Sequence, residues 1–149
     1  MNIYLVDYPN VKRSALTTIE NLKAEDLVYI YYNANASRIP IDEMNRICRC
    51  DATVNTVDMG NNYLSNPITI RIAATAGWYL GQSEENHVQI VSKRMSLNGM
   101  LDFRTAFCGD DRLEIRDRIV SMDILPEIKT KKTAELEHEE KTTEENSEL

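Results

Sequence analysis

Apolar positions along this chain alternate between short unbroken runs and longer, spaced-out patterns. Asn2 to Asp7 (NIYLVD), Leu27 to Tyr32 (LVYIYY), Thr53 to Val57 (TVNTV) and His87 to Ser92 (HVQIVS) are compact and rich in β-branched and aromatic residues. Such runs suit strands buried on both faces. Between them the apolar residues recur at helical spacing. Ser14 to Leu22 predicts a helix with Ser14 as its N-cap. Ile39 to Cys48 predicts a second, with Met44 and Ile47 or Cys48 on one face. Ile68 to Leu80 (ITIRIAATAGWYL) predicts a third, opened by Pro67 near its first turn. Ser96 to about Phe107 predicts a fourth, and Leu113 to Val120 holds a short fifth strand at a sheet edge.

Strands that alternate with helices join in parallel through crossovers, and right-handed crossovers place helices on both faces. The expected fold class is therefore α/β. It is a three-layer, Rossmann-like sandwich with a central parallel sheet of about five strands. The composition shifts near Pro126, which divides the chain into a folded body, residues 1–126, and a tail, residues 127–149.

Charge sharpens that division. Seven glutamates against one lysine put −6 of the formal −7 on residues 134–149, leaving −1 for residues 1–133. A tail so acidic and without aromatic residues is expected to be solvated and disordered. A nearly neutral body lacks the basic footprint of a committed nucleic-acid binder. No apolar run reaches the ~20 residues that span a bilayer, so no membrane association is expected. Three cysteines and no secretory pattern at the N-terminus make the cytoplasm the expected compartment.

Several chemistries find little support. Cys48 and Cys50 are paired but Cys108 is distant, and His87 and His138 complete no zinc-ligand spacing. Buried thiols are the ordinary expectation for these cysteines. Gly60-Asn61-Asn62 lacks the G-K-[ST] ending of a phosphate loop. What remains is Asp7, a carboxylate where the first strand ends. Parallel sheets open their ligand crevices at such ends. One carboxylate does not hold a divalent ion, so the function turns on the partners Asp7 finds.

MNIYLVDYPNV resembles the opening of PIN-like ribonuclease domains, which commonly reads YLVDYENV. The resemblance continues through LVYIYY and the Gly60-Asn61-Asn62 turn. It resumes in the helix around Ala73 to Gly81 and is clearest at Val91-Ser92-Lys93-Arg94-Met95-Ser96-Leu97-Asn98, where the family has VSKDKGFD. It spans roughly Met1 to Met122. It implies a metal-dependent ribonuclease, in which converging carboxylates hold Mg²⁺ or Mn²⁺ that activates water.

Position by position the implied acids are mostly replaced. Asp7 is kept. Pro9 stands for the next acid, and Ser65, Asn66 or Thr69 for the third; no Asp or Glu lies between Met59 and Ser83. Arg94 and Asn98 stand for the last two. The expectation is a catalytically degenerate domain without a metal cofactor, in which Arg94 pairs with Asp7 where the family holds its ion. It would act as a regulator, inhibitor or decoy that binds a protein, with RNA as the second candidate partner. Tyr8, Asn10, Arg71, Lys93, Arg94 and Asp102 are expected to line its crevice. Lys12 and Arg13 would add charge there, and Tyr8 and Tyr32 would supply stacking faces. The alternative is an active Mg²⁺- or Mn²⁺-dependent ribonuclease built on Asp7 and Asp102, with Asp58 or Asp110 in support. For Asp102, Asp110 and Asp111 solvated surface is the ordinary role.

Overall fold

The computed structural model describes residues 1–61, 66–102 and 111–122. Five strands form one parallel sheet: β1 (Asn2–Asp7), β2 (Leu27–Tyr32), β3 (Thr53–Asp58), β4 (His87–Val91) and β5 (Leu113–Arg116). Their order is β3-β2-β1-β4-β5. β1 sits at the centre, with Asp7 paired in register to Tyr31 of β2 and Val6 to Val91 of β4. Chain order runs outward one way from β1 and then reverses to β4. The carboxyl ends of β1 and β4 therefore flank the switch point where such sheets bind ligands.

Alternation along β1 builds two cores. Tyr4 and Val6 face one layer, with Leu16, Ile19, Val28, Ile30 and Ile119. Ile47 of helix α2 (Ile41–Arg49) packs against it. Ile3 and Leu5 face the other, against Ile68, Ile72 and Ala76 of helix α3 (Asn66–Gln82). Residues 68, 72 and 76 repeat every four positions and form one stripe of the helix. Gln89 is fully buried within β4. It is satisfied by donating to Glu114 and the Val120 carbonyl and accepting from the Val120 amide, which fastens the segment after β5 to the sheet. The three-layer architecture read from the sequence is the observed one, with β3 and β5 at the edges.

Three local expectations are corrected. Ser14 to Leu22 is not an α-helix. A single turn, α1 (Tyr8–Val11), is followed by 3₁₀ segments at Lys12–Leu16 and Ile19–Asn21. The buried residues Leu16, Ile19 and Leu22 recur every three positions, the period of a 3₁₀ turn. Ser14 caps nothing: its hydroxyl donates back to the Val11 carbonyl. On α2 the buried face carries Glu43 and Ile47, whereas Met44 and Cys48 are exposed. Cys48 is thus a free surface thiol and Cys50 a half-buried one. The predicted fourth helix begins as a 3₁₀ turn at Met95–Leu97 and is helical from 99 to 102. Its remainder, the boundary at Pro126 and the tail lie outside the described residues. No helix among the described residues is long and apolar enough to cross a membrane.

Candidate functional site at the end of the central strand

Asp7 ends β1 with no exposed surface. Its neighbours come from the loop after β4, brought alongside by the parallel pairing of β1 and β4. Arg94 Nε lies 2.5 Å from Asp7 Oδ2 and Nη2 lies 3.4 Å from Oδ1. The Arg94 side chain is itself only 21% exposed. The Ser92 hydroxyl stands 3.0 Å from Asp7 Oδ2 and accepts the Arg94 amide at 3.1 Å. Asn10, in α1, accepts the Lys93 amide at 2.6 Å and lies 3.3 Å from the Ser92 hydroxyl. Pro9 occupies the start of α1, where a fixed φ and a missing N–H cost nothing. The result is a closed polar cluster: a buried carboxylate, a guanidinium fork, and a serine and an asparagine that hold the arginine loop in place.

These residues do not fit a divalent metal. Both Asp7 oxygens face a guanidinium, and a cation there would have to displace it with one carboxylate as its anionic ligand. Among the described residues no three His, Cys, Asp or Glu side chains come together. Asp58 lies on β3, two strands from β1 and so about 10 Å away. Its Oδ1 accepts the Gly60 amide at 2.8 Å. Asp102 and Asn98 are exposed, and no hydrogen bond or ion pair between described residues joins Asp102 to Asp7. Ser65 and Asp110 lie outside the described residues, and Asn66 opens α3.

The structure divides the expected crevice. Asn10, the Lys93 backbone and Arg94 join Asp7. Arg71 does not. It stands on the flank of α3 that faces β2 and β3, lining a groove with Tyr29, Tyr31 and Val57, because α3 itself packs over β1 and β4. Tyr8 offers no stacking face. It is 3% exposed, and its hydroxyl donates to Glu43 Oε2 at 2.8 Å. Tyr32 is half-buried. Lys12 is exposed and ends α1 in the left-handed region, at φ 46°. Arg13 is held away from Asp7 by Asp42, 2.9 Å from its Nη2.

Two features of this region were not singled out from the sequence. Ser92 lies within the stretch that resembles the family motif, but its role depends on Asp7 and the Arg94 amide meeting in space. Glu43 carried a clearer signal, since it falls on the core stripe of α2 four residues before Ile47. It is 97% buried by residue surface, that is 3% exposed. Arg13 Nε lies 3.3 Å from Glu43 Oε1, close enough for attraction but not aligned to donate, so that oxygen has no hydrogen-bond partner.

Burial first, and then the hydrogen bond and charge of Glu43, push the Tyr8 phenol well above its ordinary range. Tyr79 is pushed up to about 12 by burial and by Tyr29. Burial raises Tyr31 as well. In the unfolded chain such phenols titrate near pH 10. Their stabilising contribution is complete below that pH and declines above it, because the unfolded chain sheds protons that the folded chain keeps. Tyr8→Phe should cost about 2 kcal/mol at pH 8, by removing the donor to a buried carboxylate. That deficit should narrow at pH 11. Urea unfolding at both pH values checks this, and an unchanged deficit would show that Tyr8 holds no proton of consequence.

Neither a curated protein nor a solved structure matches this chain. The family model described as a PIN domain matches residues 1–108, which carry β1 to β4, α3 and the whole Asp7–Ser92–Arg94 cluster. With the five-stranded parallel sheet in the order β3-β2-β1-β4-β5, this match shows that the chain belongs to the PIN domain family.

Proposed function

We propose that this protein is a PIN domain that has exchanged metal-dependent phosphodiester cleavage for binding. One observation carries the reading: Arg94 forks onto a fully buried Asp7 at the carboxyl end of the central strand. Several carboxylates must converge to hold a hard dication. Here a permanent cation is supplied by the chain itself, and Ser92 and Asn10 anchor the loop that delivers it. The cluster is thereby turned from a site that recruits an ion into a fixed structural element at the rim of the switch-point crevice. The remaining role is a non-catalytic one, regulating a bound protein or nucleic acid. The acidic segment 134–149 adds a charged arm toward a basic partner.

Calorimetric titration of the full chain with Mn²⁺ and Mg²⁺, beside an RNA-cleavage assay in the same buffers, tests this. The expected result is no saturable heat and no cleavage in the wild type or in Asp7→Ala. Micromolar binding in the wild type that disappears in Asp7→Ala would overturn the proposal. It would return the chain to the metal-dependent ribonucleases, with Asp7 and Asp102 as the first residues to re-examine.

A further inference from the structure

A groove of about 390 Å³ runs along the open flank of α3, over the β2–β3 edge of the sheet. Tyr29, Tyr31 and Val57 form its floor, and Arg71, Thr75, Trp78 and Tyr79 its wall. It exists because α3 packs over β1 and β4, where the stripe Ile68, Ile72 and Ala76 is buried. The adjoining face of β2 and β3 is left with aromatic side chains and no covering helix among the described residues. The Tyr29 ring lies 6.4 Å from that of Tyr31 and 6.1 Å from that of Tyr79, each pair tilted. Trp78 is 66% exposed, unusual for a side chain so large.

The hydroxyl groups of the groove are largely bonded within it. Tyr31 donates to Thr75 at 2.8 Å, and Thr75 donates in turn to the Arg71 carbonyl. The Tyr29 and Tyr79 hydroxyls share a single 2.6 Å hydrogen bond, which leaves one phenol proton free. The Arg71 guanidinium has no carboxylate partner among the described residues. Among the described residues the lining contains no Asp or Glu. Asp58, next to Val57, projects to the opposite face by strand alternation and is engaged with Gly60. The groove is therefore aromatic and cationic on a body that is otherwise nearly neutral, with one phenol proton and the Arg71 guanidinium as its open donors. Its complement is a flat, acceptor-rich anion. A second copy of this chain is disfavoured, since a two-fold contact would set Arg71 against its own image.

We propose that this groove binds a single-stranded nucleic-acid segment, with bases stacked on Trp78, Tyr79 and Tyr29 and a backbone phosphate on Arg71. Sequence-tolerant stacking combined with a basic contact is how single strands are held. Arg71 and Trp78 are two helical turns apart, about 10 Å, which spans about three stacked bases at ~3.4 Å each. The proposal goes beyond the binding role above and does not depend on the state of the Asp7 cluster, so the test below separates holding the strand from cutting it.

Trp78 is the one tryptophan of the chain, so its fluorescence reports this groove directly. The full chain is titrated with octauridylate in EDTA at low salt, and the RNA is recovered afterwards to check its length. Saturable quenching is expected, with half-saturation on the order of 10 µM. Arg71→Ala should weaken it about tenfold and flatten the dependence of log K on log salt by roughly 0.7. Arg71→Lys should retain most of the binding. Arg49→Ala removes an equal charge from α2, on the other side of the sheet, and should change little. The proposal is overturned by the absence of quenching up to about 1 mM RNA, or by equal losses in Arg71→Ala and Arg49→Ala. It is also overturned if uridine monophosphate binds as tightly, which would mean a mononucleotide pocket, or if octaglutamate does, which would mean an acidic-peptide site. Binding of intact RNA in EDTA followed by its shortening in Mn²⁺ would leave this proposal standing and remove the non-catalytic one.

Discussion

Arg94→Ala is expected to destabilise the fold by about 3 kcal/mol, since truncating one partner of a buried pair strands the other charge. Asp7 has no exposed surface and sits in the central strand of the sheet, so it cannot turn outward for water. The Ser92 hydroxyl would remain as its donor but brings no positive charge. The loss would be limited because Arg94 is 21% exposed, and water can enter part of the vacated space. Asp7→Asn in the Arg94→Ala background should restore much of the stability, because the stranded charge is gone. A double-mutant cycle by urea unfolding isolates the pair, with a coupling energy of about 2 kcal/mol expected. A coupling near zero would show that Arg94 is a surface residue resting on Asp7, and the reading of this site would lose its foundation. A second measurement on the same proteins separates stability from chemistry. If freeing Asp7 sufficed for metal capture, Arg94→Ala would bind Mn²⁺. A lone carboxylate makes weak or no binding the expected outcome.

Ile72→Ala should cost about 3–4 kcal/mol, whereas Ile70→Ala should cost less than ~0.5 kcal/mol. Both residues lie on α3, two positions apart. Ile72 is fully buried against Ile3, Leu5 and Ile90, but Ile70 is 67% exposed. The substitution removes the same atoms and makes the same small change in helix propensity at each site. Only the buried position opens a cavity, and in a domain of this size the loss should lower the melting temperature by roughly 10 °C. Thermal unfolding followed by circular dichroism checks the contrast. A large effect at Ile70 would mean that the exposed flank of α3 is covered in solution, most simply by self-association. That would change how the neighbouring groove is read.

Much of the architecture was legible because the central strands are buried on both faces. Asn2–Asp7 and Leu27–Tyr32 were read with the bounds the structure gives them, and the third and fourth within one residue. Continuous apolar runs have one low-energy use in an α/β protein, and their order fixes the layering. Helix α3 was legible over Ile68 to Leu80, from Pro67 near its start and the small residues that let it pack closely; the structure extends it by two residues at each end and shows Ile68, Ile72 and Ala76 as its buried stripe. The segment from Lys12 to Asn21 was not. Its apolar residues at 16, 19 and 22 fit a 3₁₀ turn as well as an α-helix. The choice fell to contacts with the remote end of the chain, where the Ile119 amide donates to the Ala15 carbonyl. Tyr8 was misread for the same kind of reason. A tyrosine after a strand looks like a surface ring until a glutamate 35 residues away meets its hydroxyl.

The candidate site shows the same division. The sequence by itself determined that Asp7 ends a buried strand, that four of the five carboxylates the family resemblance implies are other residues, and that a cation, Arg94, stands in one of those places. Residue identity and strand order suffice for that, since both are written in the chain. Only the tertiary structure decided what the replacements do. Parallel pairing of β1 with β4 lays the Ser92–Arg94 loop against Asp7 across 87 positions of sequence, and burial leaves the carboxylate no other partner of opposite charge among the described residues. The same packing decided the fate of Arg71. The helix that carries it leans over β1 and β4, so the arginine meets the tyrosines of β2 and not the carboxylate at the end of β1. Distances between residues far apart in sequence are set by how layers pack, and packing is the sum of many contacts that no single stretch of chain contains.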